Sequence, residues 1–160
     1  MPPDLRRIRI CLAIFIVGLA LSGITAFPLV HETALLAKIV AHFGTQTALS
    51  HWVDRVHSAL ADTAYRYPYL AYGTDWLAFA HLVLAVAFIG PWRDPVRNRW
   101  VLEFGLIACS GVLPLALIAG PIRGIPFFWR LGDCSFGIIG AIPLLVALRA
   151  VNRLETYAKA

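Results

Sequence analysis

Four apolar stretches constrain the fold of this chain more than any other feature of its sequence. They cover about residues 8–30, 76–92, 100–119 and 126–149. Each has close to the ~20 residues that a helix needs to cross the hydrocarbon core of a bilayer. A single spanning segment must be helical, because lipid leaves backbone polar groups no other partner. The sequence therefore predicts one all-α domain, an integral membrane four-helix bundle.

The overall composition supports a membrane protein and argues against a nucleic-acid-binding one. Hydrophobic residues make up 59% of the chain and charged residues 14%, whereas a soluble domain has about 25% charged residues. The formal net charge is +5, but the basic residues lie at the ends of the apolar stretches and form no basic face. We therefore expect the lipid bilayer as a partner and no nucleic acid.

The basic residues also predict the orientation of the spans. Nine lie on one side (Arg6, Arg7, Arg9, Arg93, Arg97, Arg99, Arg149, Arg153 and Lys159) and five on the other (Lys38, Arg55, Arg66, Arg123 and Arg130). Cytoplasmic loops carry the excess of Lys and Arg, so both termini are expected in the cytoplasm, with the chain in the inner (plasma) membrane. One alternative is that residues 1–26 form a cleaved signal peptide, although Ile24 suits its cleavage site poorly.

The segment between the first two spans, residues 31–75, is expected outside the cytoplasm. Its periodicity predicts two short amphipathic helices separated at Gly44. The apolar stripe of the second contains Trp52, Val53, Val56 and Leu60. Such helices are expected to lie on the outer leaflet or to cap the bundle.

The histidines and cysteines do not predict a metal site. Four histidines of the outer segment (His31, His42, His51 and His57) lack the i, i+4 spacing of a helical zinc motif. The three cysteines, Cys11, Cys109 and Cys134, are widely separated and form no C-x-x-C. No cofactor is identified by these residues.

A polar cluster is predicted in the outer half of the bundle. In RGIPFFWRLGDCSFG, residues Arg130, Asp133 and Cys134 share one sector of the fourth span. His81 lies inside the second span, where ionisable groups usually face a partner. We expect His81 to point inward and to lie within hydrogen-bond or one-water reach of Asp133 or another polar group of the fourth span.

This cluster supplies the candidate functional residues. His81, Arg130, Asp133, Ser135 and Asp75 are the candidate ligand-binding residues. The candidates for a catalytic role are His81, Asp133 and Cys134, since a histidine beside a carboxylate is oriented for proton transfer.

The sequence also predicts where helices pack closely and one ion pair. Close helix approach is predicted at three small-residue pairs: Gly18 with Ser22, Gly105 with Cys109, and Gly137 with Ala141. Glu103 is expected to pair with Arg99 or Arg149.

Three functions are compatible with these residues. The leading one is a small non-enzymatic multi-pass protein that binds a lipid-like ligand or a partner membrane protein, including a second copy of itself. The first alternative is a membrane-embedded enzyme that acts on a lipid or isoprenoid through His81 and Asp133. The second alternative is a redox protein that holds quinone or haem, with His81 and His31 as axial ligands.

Overall fold

The computed structural model describes residues 3–159, and nearly all of them are helical. The helices are α1 (Pro3–Ala26), α2 (Leu29–Phe43), α3 (Ala48–Arg66), α4 (Ala71–Ala87), α5 (Ile89–Arg93), α6 (Arg99–Pro114), α7 (Gly120–Ile122) and α8 (Phe127–Lys159). A 3₁₀ turn, Pro68–Leu70, precedes α4, and a π-helical turn, Leu115–Ala119, joins α6 to α7. Residues 3–159 contain no strand, so the all-α prediction is confirmed.

Four helical segments are long and apolar enough to cross a membrane. They are Pro3–Ala26, Pro68–Arg93, Arg99–Ile122 and Phe127–Tyr157. Only 17 to 33% of their most apolar windows is buried inside the protein. A water-soluble protein rarely exposes so much contiguous apolar surface, so these findings support the predicted multi-pass membrane protein.

The first span ends earlier than its hydropathy suggests. Apolar residues continue to Val30, but α1 ends at Ala26 and Val30 belongs to α2. Pro28 accounts for the break, because a proline disfavours helical geometry at the residue before it. Hydropathy alone does not detect this boundary, since Phe27, Leu29 and Val30 are all apolar.

The expected break at Gly44 is present between α2 and α3. Gly44 has φ 142°, a conformation that residues with a Cβ rarely adopt. Helix α3 then begins with a reciprocal cap, in which the Thr47 side chain accepts from the Ser50 backbone N–H and the Ser50 hydroxyl accepts from the Thr47 backbone N–H. Such a cap satisfies two backbone donors that the first helical turn would otherwise leave without partners.

The chain forms two compact units. One comprises Leu19–Leu84, and the other joins the residues up to Gly18 with those from Ala85 onward. In the latter, α6 packs along α8, and Leu102 and Leu144 are completely buried.

Glycines permit the contact between α6 and α8. A Cβ on Gly105 would lie 2.7 Å from the Phe88 ring and 2.8 Å from Leu144. A Cβ on Gly137 would lie 2.5 Å from the backbone carbonyl of Cys109. The predicted close approach at these two glycines is confirmed.

The same prediction for Gly18 and Ser22 stays a prediction. The two residues belong to different compact units, and each unit is described by itself. Small residues mark a helix contact only when another helix reaches them, and lipid can cover them equally well.

In the unit Leu19–Leu84, α2 and α3 pack against each other. Val40 of α2 and Val53 of α3 are buried, and the Thr33 hydroxyl of α2 lies 3.2 Å from Nδ1 of His57 in α3. Of the predicted α3 stripe, Val53 is buried, whereas Trp52, Val56 and Leu60 are half-buried. Helix α2 also presents an exposed apolar stripe, formed by Leu35, Ile39 and Phe43.

Candidate functional site

An aromatic cavity lies beside the first turns of α4, within the unit Leu19–Leu84. It has a volume of about 240 Å³ and is lined by Phe27, Tyr72, Asp75, Trp76 and Phe79. We call these five residues the aromatic cavity. Its lining contains one carboxylate and no basic side chain.

The local sequence explains how the cavity forms. Tyr72, Trp76 and Phe79 are spaced i, i+4, i+7 and therefore lie on one face of α4. Phe27 reaches this face because the end of α1 runs close to α4: a Cβ on Gly23 would lie only 2.8 Å from the Ala78 carbonyl oxygen. A larger residue at position 23 would move the two helices apart and so alter the cavity.

The rings on α4 meet nearly at right angles. The Tyr72 and Trp76 ring centroids are 5.9 Å apart with planes at 81°, and those of Trp76 and Phe79 are 6.2 Å apart at 87°. Edge-to-face pairs of this kind are favourable because the ring edge is positive and the ring face negative. Since all four aromatic side chains remain 45 to 62% exposed, ring faces are left for a ligand.

The carboxylate of Asp75 has no partner among the described side chains. The residue is half-buried, and no hydrogen bond or ion pair to it is present within residues 3–159. The closest basic residue in the sequence, Arg66, is paired with Asp62 at 2.8 Å. Asp75 is therefore a charged group at the end of a span that the described side chains do not neutralise.

His81 lies on another side of α4 and does not line the aromatic cavity. At about 100° per residue it lies roughly opposite Tyr72 and Trp76. Its Nδ1 is 2.8 Å from the Leu77 carbonyl oxygen. A carbonyl only accepts, so Nδ1 carries a proton in this contact.

Arg130 in α8 packs with neighbours that the sequence did not predict. Its aliphatic stem covers Gly120, where a Cβ would lie 2.5 Å from the arginine Cδ. Its guanidinium carbon lies 5.3 Å from the centre of the Phe127 ring. The buried Nε of Arg130 has no hydrogen-bond partner, and among the described residues this arginine forms no ion pair with Asp133.

The other three candidates of α8 also do not form a connected group. Asp133 is half-buried and Cys134 is buried. The Ser135 hydroxyl donates to the Gly132 carbonyl of its own helix at 2.6 Å. Asp133, Cys134 and Ser135 therefore share a turn of α8 with Arg130, and no hydrogen bond among these side chains is present in the described structure.

His81 and Asp133 belong to different compact units. The structure describes each unit by itself. The predicted contact between His81 and the fourth span stays a prediction.

A second polar region lies at the start of α6, in the unit that includes the residues from Ala85 onward. Arg99 donates to Glu103 at 2.9 Å and to Glu155 at 2.8 Å. These three residues are called the Arg99 cluster. The expected pairing of Glu103 with Arg99 is confirmed, and Glu155 is an additional partner supplied by α8.

Sequence reasoning did not identify the aromatic side chains as parts of a binding site. Tyr and Trp near the end of a span are also typical of a membrane-interface belt, so Tyr72 and Trp76 alone do not indicate a binding site. The available signal was the i, i+4, i+7 spacing around Asp75 in YGTDWLAF. Within residues 3–159, no three histidine, cysteine, aspartate or glutamate side chains gather into a group that could hold a metal ion.

Comparison with known proteins adds no relative. The chain has no significant match among protein-family models, curated proteins or solved structures. The function has to be inferred from the residues of the chain itself.

Proposed function

We propose that this chain is a multi-pass inner-membrane protein that binds a lipid-like ligand through the aromatic cavity. The observation that carries the proposal is the cavity itself, which is lined by four aromatic residues and Asp75 and has an almost entirely apolar surface. Ligand sites are concave and mostly apolar, with a few polar groups that give orientation. A groove beside a span is also open to lipid along its length.

The proposed orientation places the cavity at the outer edge of the membrane. Both termini are cytoplasmic on the basis of the nine basic residues on their side against five on the other. Trp76 and Tyr72 then lie at the outer boundary, the depth at which amphipathic rings are enriched. A ligand in the cavity would therefore be held by its headgroup.

Helices α2 and α3 are proposed to lie on the outer surface of the same membrane. Helix α2 begins three residues after α1 ends, and the turn at Pro68 follows two residues after α3 ends. Because each residue spans at most ~3.6 Å, both ends of the pair stay near the membrane surface. The exposed stripe of Leu35, Ile39 and Phe43 is suited to the boundary between headgroups and acyl chains.

The candidate residues predicted from the sequence have a less direct role in this proposal than the aromatic cavity. Asp75 is part of the cavity lining, whereas His81, Arg130, Asp133 and Ser135 are proposed as further ligand contacts. The alternative proposal is that the same outer surface binds a partner membrane protein or a second copy of this chain. The enzymatic and haem-binding alternatives still depend on His81, and no observation favours them over lipid binding.

Mass spectrometry of the detergent-purified protein tests lipid binding directly. The expected result is a lipid that survives purification with the wild type and is lost with Phe79→Ala, which removes one wall of the cavity. The matched control is Phe136→Ala, since Phe136 is an exposed phenylalanine of α8. Equal lipid retention by all three proteins, or retention by none, would contradict the proposal. The absorption spectrum of the same sample detects haem.

A further inference from the structure

The unit that contains α5 to α8 and the N-terminal part of α1 gathers exposed arginines from three separate segments at one end. They are Arg6 and Arg7 at the start of α1, Arg93 at the end of α5, and Arg149 in the C-terminal half of α8. We propose that these four residues, called the arginine face, bind the phosphate groups of anionic phospholipids in the cytoplasmic leaflet. None of them lines the aromatic cavity, so the proposal depends on the orientation of the spans but not on a ligand in that cavity.

Two contacts show that the three segments meet. Arg153 Nη1 of α8 lies 3.7 Å from Asp4 Oδ1 of α1. The guanidinium carbon of Arg9, also in α1, lies 5.5 Å from the centre of the Trp92 ring in α5. Arg149 is four residues from Arg153 and therefore on the same face of α8, and the other three members of the arginine face lie within two positions of the other contacting residues. The fold thus forms a basic face that the order of these segments along the chain does not show.

The carboxylates near this end are already engaged. Asp4 pairs with Arg153, and both glutamates of the Arg99 cluster accept hydrogen bonds from its arginine. Asp94 accepts a hydrogen bond from the Arg97 backbone N–H at 3.1 Å. No carboxylate of residues 3–159 forms an ion pair with the arginine face. Since arginine stays protonated in proteins, the face keeps four positive charges for a partner.

The position of the arginine face at the ends of spans favours lipid phosphate as that partner. Arg93 is the last residue of one span, and Arg6 and Arg7 lie near the start of another. The exposed ring of Trp92, next to Arg93, is typical of the depth of the headgroups. At this depth the aliphatic stems stay on apolar surface while the guanidinium groups bind phosphate oxygens through paired hydrogen bonds. The cytoplasmic leaflet supplies anionic headgroups.

The experiment compares two headgroups on matched acyl chains. The full-length protein is reconstituted with equal amounts of dioleoyl phosphatidylglycerol and dioleoyl phosphatidylcholine and then stripped with detergent, and the retained lipids are quantified by mass spectrometry. Phosphatidylglycerol has no ammonium group to balance its phosphate and is expected to be retained at least about ten-fold more. This preference should largely disappear at 1 M salt, because exposed charges are then screened beyond about 3 Å.

Variants assign the preference to the arginine face. Arg93→Gln and Arg149→Gln are each expected to lower the ratio of retained phosphatidylglycerol to phosphatidylcholine about five-fold, since a basic residue near an anionic surface contributes about 1 kcal/mol. Arg93→Lys keeps the charge and should retain most of the ratio. The matched control is Arg123→Gln, because Arg123 is also exposed and in the same unit but follows the 24-residue helical segment Arg99–Ile122. Far-ultraviolet circular dichroism and gel filtration confirm that every variant is folded.

The outcomes separate this inference from the proposed function. Equal retention of the two lipids, or retention of neither, would overturn the arginine face as a site for lipid phosphate. Phe79→Ala, which tests the aromatic cavity, should leave the ratio unchanged. An equal fall of the ratio in Arg123→Gln would assign the preference to the net charge of the protein and not to the face. Displacement of phosphatidylglycerol by 1 mM inorganic phosphate at constant ionic strength would assign the arginines to a soluble phosphate group instead of a lipid.

Discussion

The Arg99 cluster and the aromatic cavity use carboxylates in opposite ways. In the cluster, Glu103 and Glu155 both accept hydrogen bonds from Arg99 at 2.8–2.9 Å. In the cavity, Asp75 has no such partner among the described side chains. The charges of the Arg99 cluster are satisfied within the fold, whereas no described side chain forms a hydrogen bond or ion pair with Asp75. The two regions should therefore respond differently to substitution.

The largest expected effect is an all-or-none difference between two positions in their reaction with a reagent added outside the cell. In a background without the three native cysteines, Gln46→Cys (between α2 and α3) should react with a membrane-impermeant maleimide in intact cells. Val96→Cys (between α5 and α6) should react only after the membrane is permeabilised. Both positions are exposed, so access depends on the membrane alone. Reaction of both positions from outside would contradict the proposed orientation of the spans, and with it the proposed position of the cavity in the outer leaflet.

The next largest effect is expected at the contact between α6 and α8, in the unit that contains the Arg99 cluster. Gly137→Leu places a side chain against the Cys109 backbone carbonyl, where even a Cβ would lie at 2.5 Å. Backbone cannot move aside as a flexible side chain can, so a loss of about 3 kcal/mol in the free energy of unfolding is expected. Reversible unfolding in sodium dodecyl sulfate, followed by circular dichroism, measures it.

Gly132→Leu is the matched control for that measurement. It lies in the same helix, but nothing is found within 4 Å of its Cβ position. Its unfolding free energy should stay close to that of the wild type. Equal losses for the two variants would show that helix propensity, and not the contact with α6, determines the result.

Arg99→Gln should produce a smaller loss of stability than Gly137→Leu. Removing the guanidinium leaves Glu103 and Glu155 without their shared cation, but the three side chains are 26 to 48% exposed and water screens them. The same unfolding assay applies, with Arg97→Gln in the preceding loop as the control. A double-mutant cycle with Glu155→Gln isolates the pair, and a coupling of zero would contradict a stabilising role.

The smallest effect on stability is expected for Asp75→Asn. Because no described side chain depends on this carboxylate, its unfolding free energy should lie within about 0.5 kcal/mol of the wild type. A marked loss of stability for Asp75→Asn would make Asp75 a structural residue like those of the Arg99 cluster, and the contrast between the two regions would disappear.

Several features of the fold could be predicted from single segments of the sequence. The four spans follow from apolar length, the break between α2 and α3 from Gly44, and the pair of Arg99 with Glu103 from their i, i+4 spacing. Each of these depends on neighbours along one helix or turn. Their physical causes act within a few residues, so no knowledge of packing was needed.

The candidate site was predicted less completely. Asp75 was identified, but the rings around it were not recognised as a cavity, since the arrival of Phe27 depends on the close approach at Gly23. Arg130 was expected beside Asp133, yet its stem packs on Gly120 and its charge lies over Phe127. Contacts with residues of another helix, or of another turn, could not be deduced from spacing along one helix.

The sequence by itself determined that the chain is helical and has four spans, because apolar length and backbone hydrogen bonding in lipid allow no other solution. Tertiary structure alone decided which faces meet protein. Gly137 contacts α6 at the Cys109 backbone carbonyl, although its sequence context resembles that of other glycines in the spans. The reason is that lipid is as apolar as a helix interface, so hydrophobicity cannot distinguish the two surfaces. The close contacts at Gly23 and Gly137 are visible only in the packed structure, and so is the cavity beside α4.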